Sequence, residues 1–141
     1  PGYWQAPELT ASTHTADGWF KTGDMGRMDD EGALYLVDRK KDMFISGGEN
    51  VYPAEVENVL ALFPEIAESA VIGVSDEQWG EVGHAVVVLK EDHVLDKENV
   101  RERCSEHLAR YKVPKHVSFA ENLPRSAQGK VQKKELKETY D

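Results

Sequence analysis

Apolar and polar positions follow different rhythms along this chain, and the changes of rhythm mark its elements. "ESAVIGVSD" and "VGHAVVVLK" are nearly unbroken β-branched runs, which predicts two strands, and "MFIS" and "HVSFAE" predict two shorter ones. Between them the period lengthens. Val56, Val59, Leu60 and Phe63 follow Pro53 at helical spacing, with proline suited to a first helical turn. Val100, Cys104, His107 and Leu108 form the stripe of a second helix starting at Lys97, and the tail from Lys130 reads as a short, weakly amphipathic third. The order after residue 42 is β-α-β-β-α-β-α, which predicts an α+β fold: a small mixed sheet with packed helices.

The first part of the chain does not fit this unit. Residues 1–17 lack a sustained apolar period and read as a loop with one helical turn. "GWFKT" reads as a short strand, and "GRMDDEGALYLVDR" as a hairpin turning at Asp29-Asp30-Glu31-Gly32. We therefore expect two parts, 1–39 and 40–141, the first a strand and hairpin remnant of a larger domain. A start at Pro1 with no methionine before Met25 reads as a piece of a longer protein.

Composition narrows the function. With 40% hydrophobic and 30% charged residues, the sequence is that of a globular protein, without the apolar run of roughly 18 residues that a membrane span requires. The opening residues do not read as a secretory leader, and Cys104 is the only cysteine, which excludes an internal disulfide and a cysteine-rich zinc site. A cytoplasmic location is expected. A net charge of -9 argues against general nucleic-acid binding. Yet eight Lys or Arg and only two acids lie between Arg110 and Lys137, a segment suited either to a small anion or acidic neighbour, or to a solvated helix face. His84, His107 and His116 lack metal-ligand spacing and read as structural; no metal site is expected.

Four short stretches carry chemistry. Gly129-Lys130 resembles the end of a P-loop but lacks its first glycine and its Ser or Thr, leaving a glycine that permits close approach before a lysine that carries a mobile charge. Taken alone, the pair fits an exposed lysine at a helix start better. Asp24, after Thr22-Gly23, offers a carboxylate for a vicinal diol such as ribose, and is also an ordinary turn residue. Asp38 to Asp42 form a charge cluster where a linker should lie. Gly47-Gly48 make an exposed turn open to close backbone approach.

Taken together, "GWFKTGD", "DRKKDMFISGGENVYPAEVE", "LARYKVPK" and "LPRSAQGKVQKKELK" resemble the adenylate-forming enzymes: acyl-CoA and aryl-CoA ligases, firefly-type luciferases and peptide-synthetase adenylation domains. The resemblance runs over essentially the whole chain, in order and spacing. It implies the end of a large N-terminal adenylation domain followed by a small C-terminal lid, with the phosphate-gripping loop and acyl pocket upstream. It further implies a two-step reaction, in which a carboxylate attacks ATP to give acyl-AMP and a thiol, usually CoA, then displaces AMP. By position, Asp24 matches the ribose-binding aspartate, Arg39 the arginine beside it, Lys41 the hinge, and Lys130 the lysine that meets the carboxylate and α-phosphate. On this reading the glycine at 129 frees the lysine loop to enter and leave a site on the other domain. Gly47 and Gly48 would line the pantetheine tunnel, and Trp79 lies where some CoA ligases stack the adenine, although a half-buried surface aromatic explains it equally. The implied substrates are ATP with Mg2+, a carboxylic acid and CoA, with Mg2+ held by no residue of this chain. The "ISGGENVYPAEVE" stretch looks more like acyl-CoA ligases than peptide-synthetase domains. A fatty acid is the expected substrate, an aromatic acid the alternative, and a non-catalytic lid-like binding module the competing class. Alone, this chain is expected to be inactive.

Overall fold

A computed structural model describes residues 2–141, and the chain divides into two compact units, one ending at Lys41 and the other Asp42–Asp141.

In the first unit, helix α1 (Pro7–Ser12) opens with proline in its first turn, where a missing N–H costs nothing. "GWFKT" is not a strand: Gly18 takes a positive φ and only an isolated bridge, His14 to Phe20, forms there. The pairing begins later, as the antiparallel hairpin β1 (Asp24–Met28) and β2 (Leu34–Arg39), in register Asp24 to Arg39. Its turn is closed by Asp29 N–H to Ala33 O at 3.1 Å and Gly32 N–H to Asp29 O at 3.1 Å, with Gly32 at φ 84°. The Asp29 carboxylate accepts from the N–H groups of Glu31 and Ala33.

The second unit begins with β3 (Phe44–Ser46), which turns through Gly47-Gly48 into β4 (Glu49–Val51), a strand too short and polar to read from its sequence. Then come α2 (Pro53–Leu60), β5 (Ile66–Asp76), β6 (Gly80–Leu89), α3 (Lys97–Ser105), a 3-10 turn at Arg110–Lys112, β7 (His116–Phe119) and α4 (Lys133–Tyr140). The sheet runs β4-β3-β6-β5, antiparallel throughout, and β7 pairs with β6 in parallel, so the sheet is mixed as expected. Two boundaries differ from the sequence reading. α3 stops at Ser105, short of His107 and Leu108, and α4 starts at Lys133 because Gly129 and Lys130 belong to a turn.

The β-branched runs are unbroken because both faces of β5 and β6 are buried. Val71, Ala85 and Val87 face Val56 and Leu60 of α2 and Val100 and Cys104 of α3, whereas Ala70, Ile72, Val74, Val82 and Val86 face Leu136 of α4. Asp96 caps α3 by accepting from Asn99 N–H at 2.7 Å. Buried His84 contacts Ser118 Oγ at 3.0 Å and stacks near Tyr140, and burial pushes its pKa down to about 4, so it packs as a neutral ring. β5 is outermost in the sheet; its Val71 N–H donates to Glu57 at 2.8 Å and its Ser75 N–H to Asp141 at 2.6 Å.

Candidate functional site

The first unit brings Asp24 and Arg39 together. Facing each other across the hairpin, they form an ion pair of 3.2 Å, and the Asp24 N–H is held by Thr22 Oγ1 at 3.1 Å. Lys40 N–H returns to Gly23 O at 2.8 Å, which closes the end of the hairpin. Thr22, Gly23, Arg39, Lys40 and Lys41 line an open hollow of about 420 Å³. Asp24 thus keeps acceptor capacity beside a guanidinium that also borders the hollow with Lys40 and Lys41, and a carboxylate and cations are the chemistry a ribose diol and a polyphosphate call for.

In the second unit, Gly47 and Trp79 are in direct contact. Gly47 and Gly48 have φ of 59° and 88°, the two-residue hairpin turn with positive φ at both positions. Gly47 N–H donates to Trp79 O at 2.9 Å, and a Cβ on Gly47 would stand 2.7 Å from the indole. Only a glycine lets the ring lie on the turn. Asp76 holds the backbone that carries the indole: its carboxylate accepts from the main-chain N–H groups of Gln78 and Trp79 and pairs with Lys115. The Lys115 ammonium holds Asp76 below the usual carboxylate range. Trp79 keeps 48% of its surface exposed, a supported flat face open to a planar partner.

Lys130 sits in a different setting. Ser126 N–H donates to Lys130 O and Gly129 N–H to Ser126 O, both at 2.8 Å, and Arg125 bridges to Val131. Gly129, at φ 80°, occupies the left-handed position of a three-residue hairpin loop. This glycine sets a defined turn. The cations of this segment are also mostly spoken for. Lys112 pairs with Glu55, Lys115 with Asp76, Arg125 with Glu68, Lys133 with Glu57, Lys134 with Glu138 and Lys137 with Glu81. Among the described residues, Lys130 and Arg110 alone of the eight have no carboxylate partner. The acidic neighbour that charge counting pointed to is, for six of them, this chain itself. Sequence reasoning missed Asp76, Lys115, Glu68 and Arg125, whose roles rest on pairings between distant segments.

The two sites of this unit lie far apart. Arg125 ties the Lys130 turn to Glu68 near the start of β5, whereas Trp79 follows Asp76 at its end. Eight residue steps of extended strand separate those points, roughly 26 Å at 3.3 Å per residue. Among the described residues no cluster of three or more His, Cys, Asp or Glu could hold a metal ion, and no helix is long and apolar enough to cross a membrane.

A sheet covered on both faces, an aspartate–arginine hairpin and an unpaired lysine on a tight turn define a class. Residues 55–130 match the AMP-binding enzyme C-terminal domain, and the chain belongs to that family. It is 53% identical over 138 residues to the long-chain-fatty-acid–CoA ligase FadD13 of Mycobacterium tuberculosis, covering 98% of this chain and 27% of that protein. It is 51% identical over 136 residues to the 2-succinylbenzoate–CoA ligase of Geobacillus kaustophilus, covering 96% and 28% respectively. Among solved structures, ATP-bound MatB from Rhodopseudomonas palustris matches with a TM-score of 0.91 at 45% identity, over 99% of this chain and 28% of that one. The chain thus spans about a quarter of the length of the curated relatives it matches.

Proposed function

We propose that this chain is the C-terminal part of an ATP-dependent acid–thiol ligase that converts a carboxylic acid to acyl-AMP and transfers the acyl group to CoA. The observation that carries this reading is Lys130, a cation without a carboxylate partner among the described residues, on a hydrogen-bonded turn in a segment where six other cations are neutralised. In adenylation two anions must meet, and an ammonium placed between carboxylate and α-phosphate offsets the repulsion that grows toward the transition state. Asp24 accepts hydrogen bonds from the ribose hydroxyls with Arg39 beside it. Residues 1–39 close the large domain, 40–141 form the lid, and Lys41 is the pivot. In the second step Gly47 and Gly48 line the path of the pantetheine arm and Trp79 stacks on the CoA adenine. The separation of the Lys130 and Trp79 ends supports two lid poses, one for each half-reaction. Mg2+ arrives with ATP, and the protein works in the cytoplasm.

A fatty acid is our reading of the substrate, supported by the 53% identity to FadD13; the 51% identity to the 2-succinylbenzoate ligase supports an aromatic acid as the second. A non-catalytic module has no use for Asp24, Arg39 and an unpaired Lys130 together.

The test is acid-dependent ATP–pyrophosphate exchange by the full-length protein across fatty and aromatic acids, followed by CoA acylation. Exchange with fatty acids is expected, and none is expected from residues 1–141 alone. In the same assay Trp79→Ala should raise the KM for CoA about tenfold and leave exchange intact, since a base–aromatic stack is worth roughly 1–3 kcal/mol. A full-length protein that exchanges pyrophosphate with no acid would overturn the enzyme reading.

A further inference from the structure

The backbone bonds of the Lys130 turn leave one carbonyl to a side chain. Ser126 O and Lys130 O both accept from N–H groups within the loop, whereas Gly129 O accepts from Arg125 Nη1 at 2.6 Å. The other arm of the same guanidinium, Nη2, donates to Glu68 on β5. Arg125 thus spans from the sheet to the peptide that joins Gly129 to Lys130. Other carboxylates near this segment act elsewhere: Glu57 and Glu81 hold Lys133 and Lys137 of α4, Glu138 pairs with Lys134 and Glu135 accepts from Gln132.

Resting on the adenylation role assigned above to Lys130, we propose that Arg125 is its positioning residue. With Glu68 behind it, the guanidinium fixes the plane of the Gly129–Lys130 peptide, and hence the direction in which the lysine leaves the turn. The planar fork is what the task requires, because two acceptors on different elements must be served at once. A lysine at 125 offers a single point of charge and satisfies one of them. An exposed ion pair of this kind contributes little to stability, so its value lies in orientation. Orientation is costly to lose: a displacement of about 1 Å at a reacting group can lower the rate roughly 10²-fold.

The experiment measures both half-reactions in the full-length enzyme: single-turnover pyrophosphate release, and thioester formation from preformed acyl-AMP and CoA. Arg125→Ala should lower the adenylation kcat by roughly ten- to a hundredfold, with the KM for ATP little changed and the thioester step at its normal rate. Arg125→Lys should recover little. Glu68→Gln should give a smaller loss in the same step, and carries the test if Arg125→Ala does not fold. The decisive measurement is the double variant. If Arg125 acts through Lys130, Arg125→Ala on a Lys130→Ala background costs nothing further. Multiplying losses, equal slowing of both half-reactions or normal adenylation by Arg125→Ala would each overturn the proposal. Intact adenylation by Lys130→Ala would instead overturn the role of Lys130 itself, and the positioning role of Arg125 with it.

Discussion

The turns at Asp29–Ala33 and Ser126–Lys130 are built alike, in separate units of the molecule. Each is closed by the same two backbone bonds, each carries glycine at its fourth position, and in each the first side chain accepts from the N–H groups two and four residues on. Even the space around the two glycines agrees: a Cβ would meet nothing within 4 Å at either, and φ is 84° and 80°. They differ in the residue after the glycine and in the support behind the turn. Ala33 comes after one, in a plain connection between two strands; Lys130 comes after the other, and Arg125 ties that turn to the sheet. The glycine at 129 is therefore explained by backbone geometry shared with an ordinary hairpin. The function we propose resides in the next residue and in its bracing.

The largest test of this comparison makes the second turn read like the first. Lys130→Ala in the full-length enzyme should lower adenylation by about 10²–10³-fold in kcat, the cost of losing one charge-stabilising donor, and leave thioester formation from acyl-AMP near normal. Comparable loss in both steps would mean that the turn, and not its lysine, had been damaged.

A smaller effect separates geometry from chemistry. Gly32→Ala and Gly129→Ala should each cost about 1–2 kcal/mol of stability, because only the left-handed φ opposes the methyl group. Asparagine at either position should cost less. Matching losses by denaturant unfolding would support the equivalence, whereas Gly47→Ala should exceed both, since its methyl group meets the Trp79 ring.

The smallest effect is a response to acid. The N–H groups of Ala33 and Glu31, with help from Tyr35, hold Asp29 below its ordinary value of 3.8. A carboxylate with its folded pKa depressed stabilises above the unfolded pKa and loses that contribution as pH falls through the folded value. The amides of Glu31 and Ala33 should therefore shift in NMR spectra recorded below about pH 4, while those of Gln128 and Lys130 do not, because a serine hydroxyl does not titrate there. Acid shifts at Gln128 and Lys130 as well would mean that a titrating group, and not the Ser126 hydroxyl, governs the second turn.

The fold was legible wherever burial imposed a period. Val71, Val86 and Val87 announced their strands, and Pro53 with Val56 and Leu60 announced α2, because core packing selects those residues directly. β4 was not legible: three residues, two of them exposed and polar, leave no alternation to read. "GWFKT" misled for the opposite reason, having strand-like side chains on a backbone that turns at Gly18. Among the candidate residues, the pairing of Asp24 with Arg39 and the contact of Gly47 with Trp79 join segments whose separation in sequence says nothing of their meeting. Four of the cations between Arg110 and Lys137 looked available because their partners, Glu55, Glu57, Glu68 and Glu81, lie more than fifty residues earlier.

The carboxylates on the outer side of β5 have a consequence for how the molecule behaves in a crowd. An edge strand with free N–H groups is a template on which a second chain can pair. Here Glu57, itself paired with Lys133, and Asp141 occupy the Val71 and Ser75 donors, so side chains stand where an incoming backbone would present its carbonyls. The outer side of the longest strand is thereby capped at two of its donors by side chains. Removing either carboxylate opens a docking position for a neighbouring molecule, so these two acids guard against self-association as much as they brace the fold.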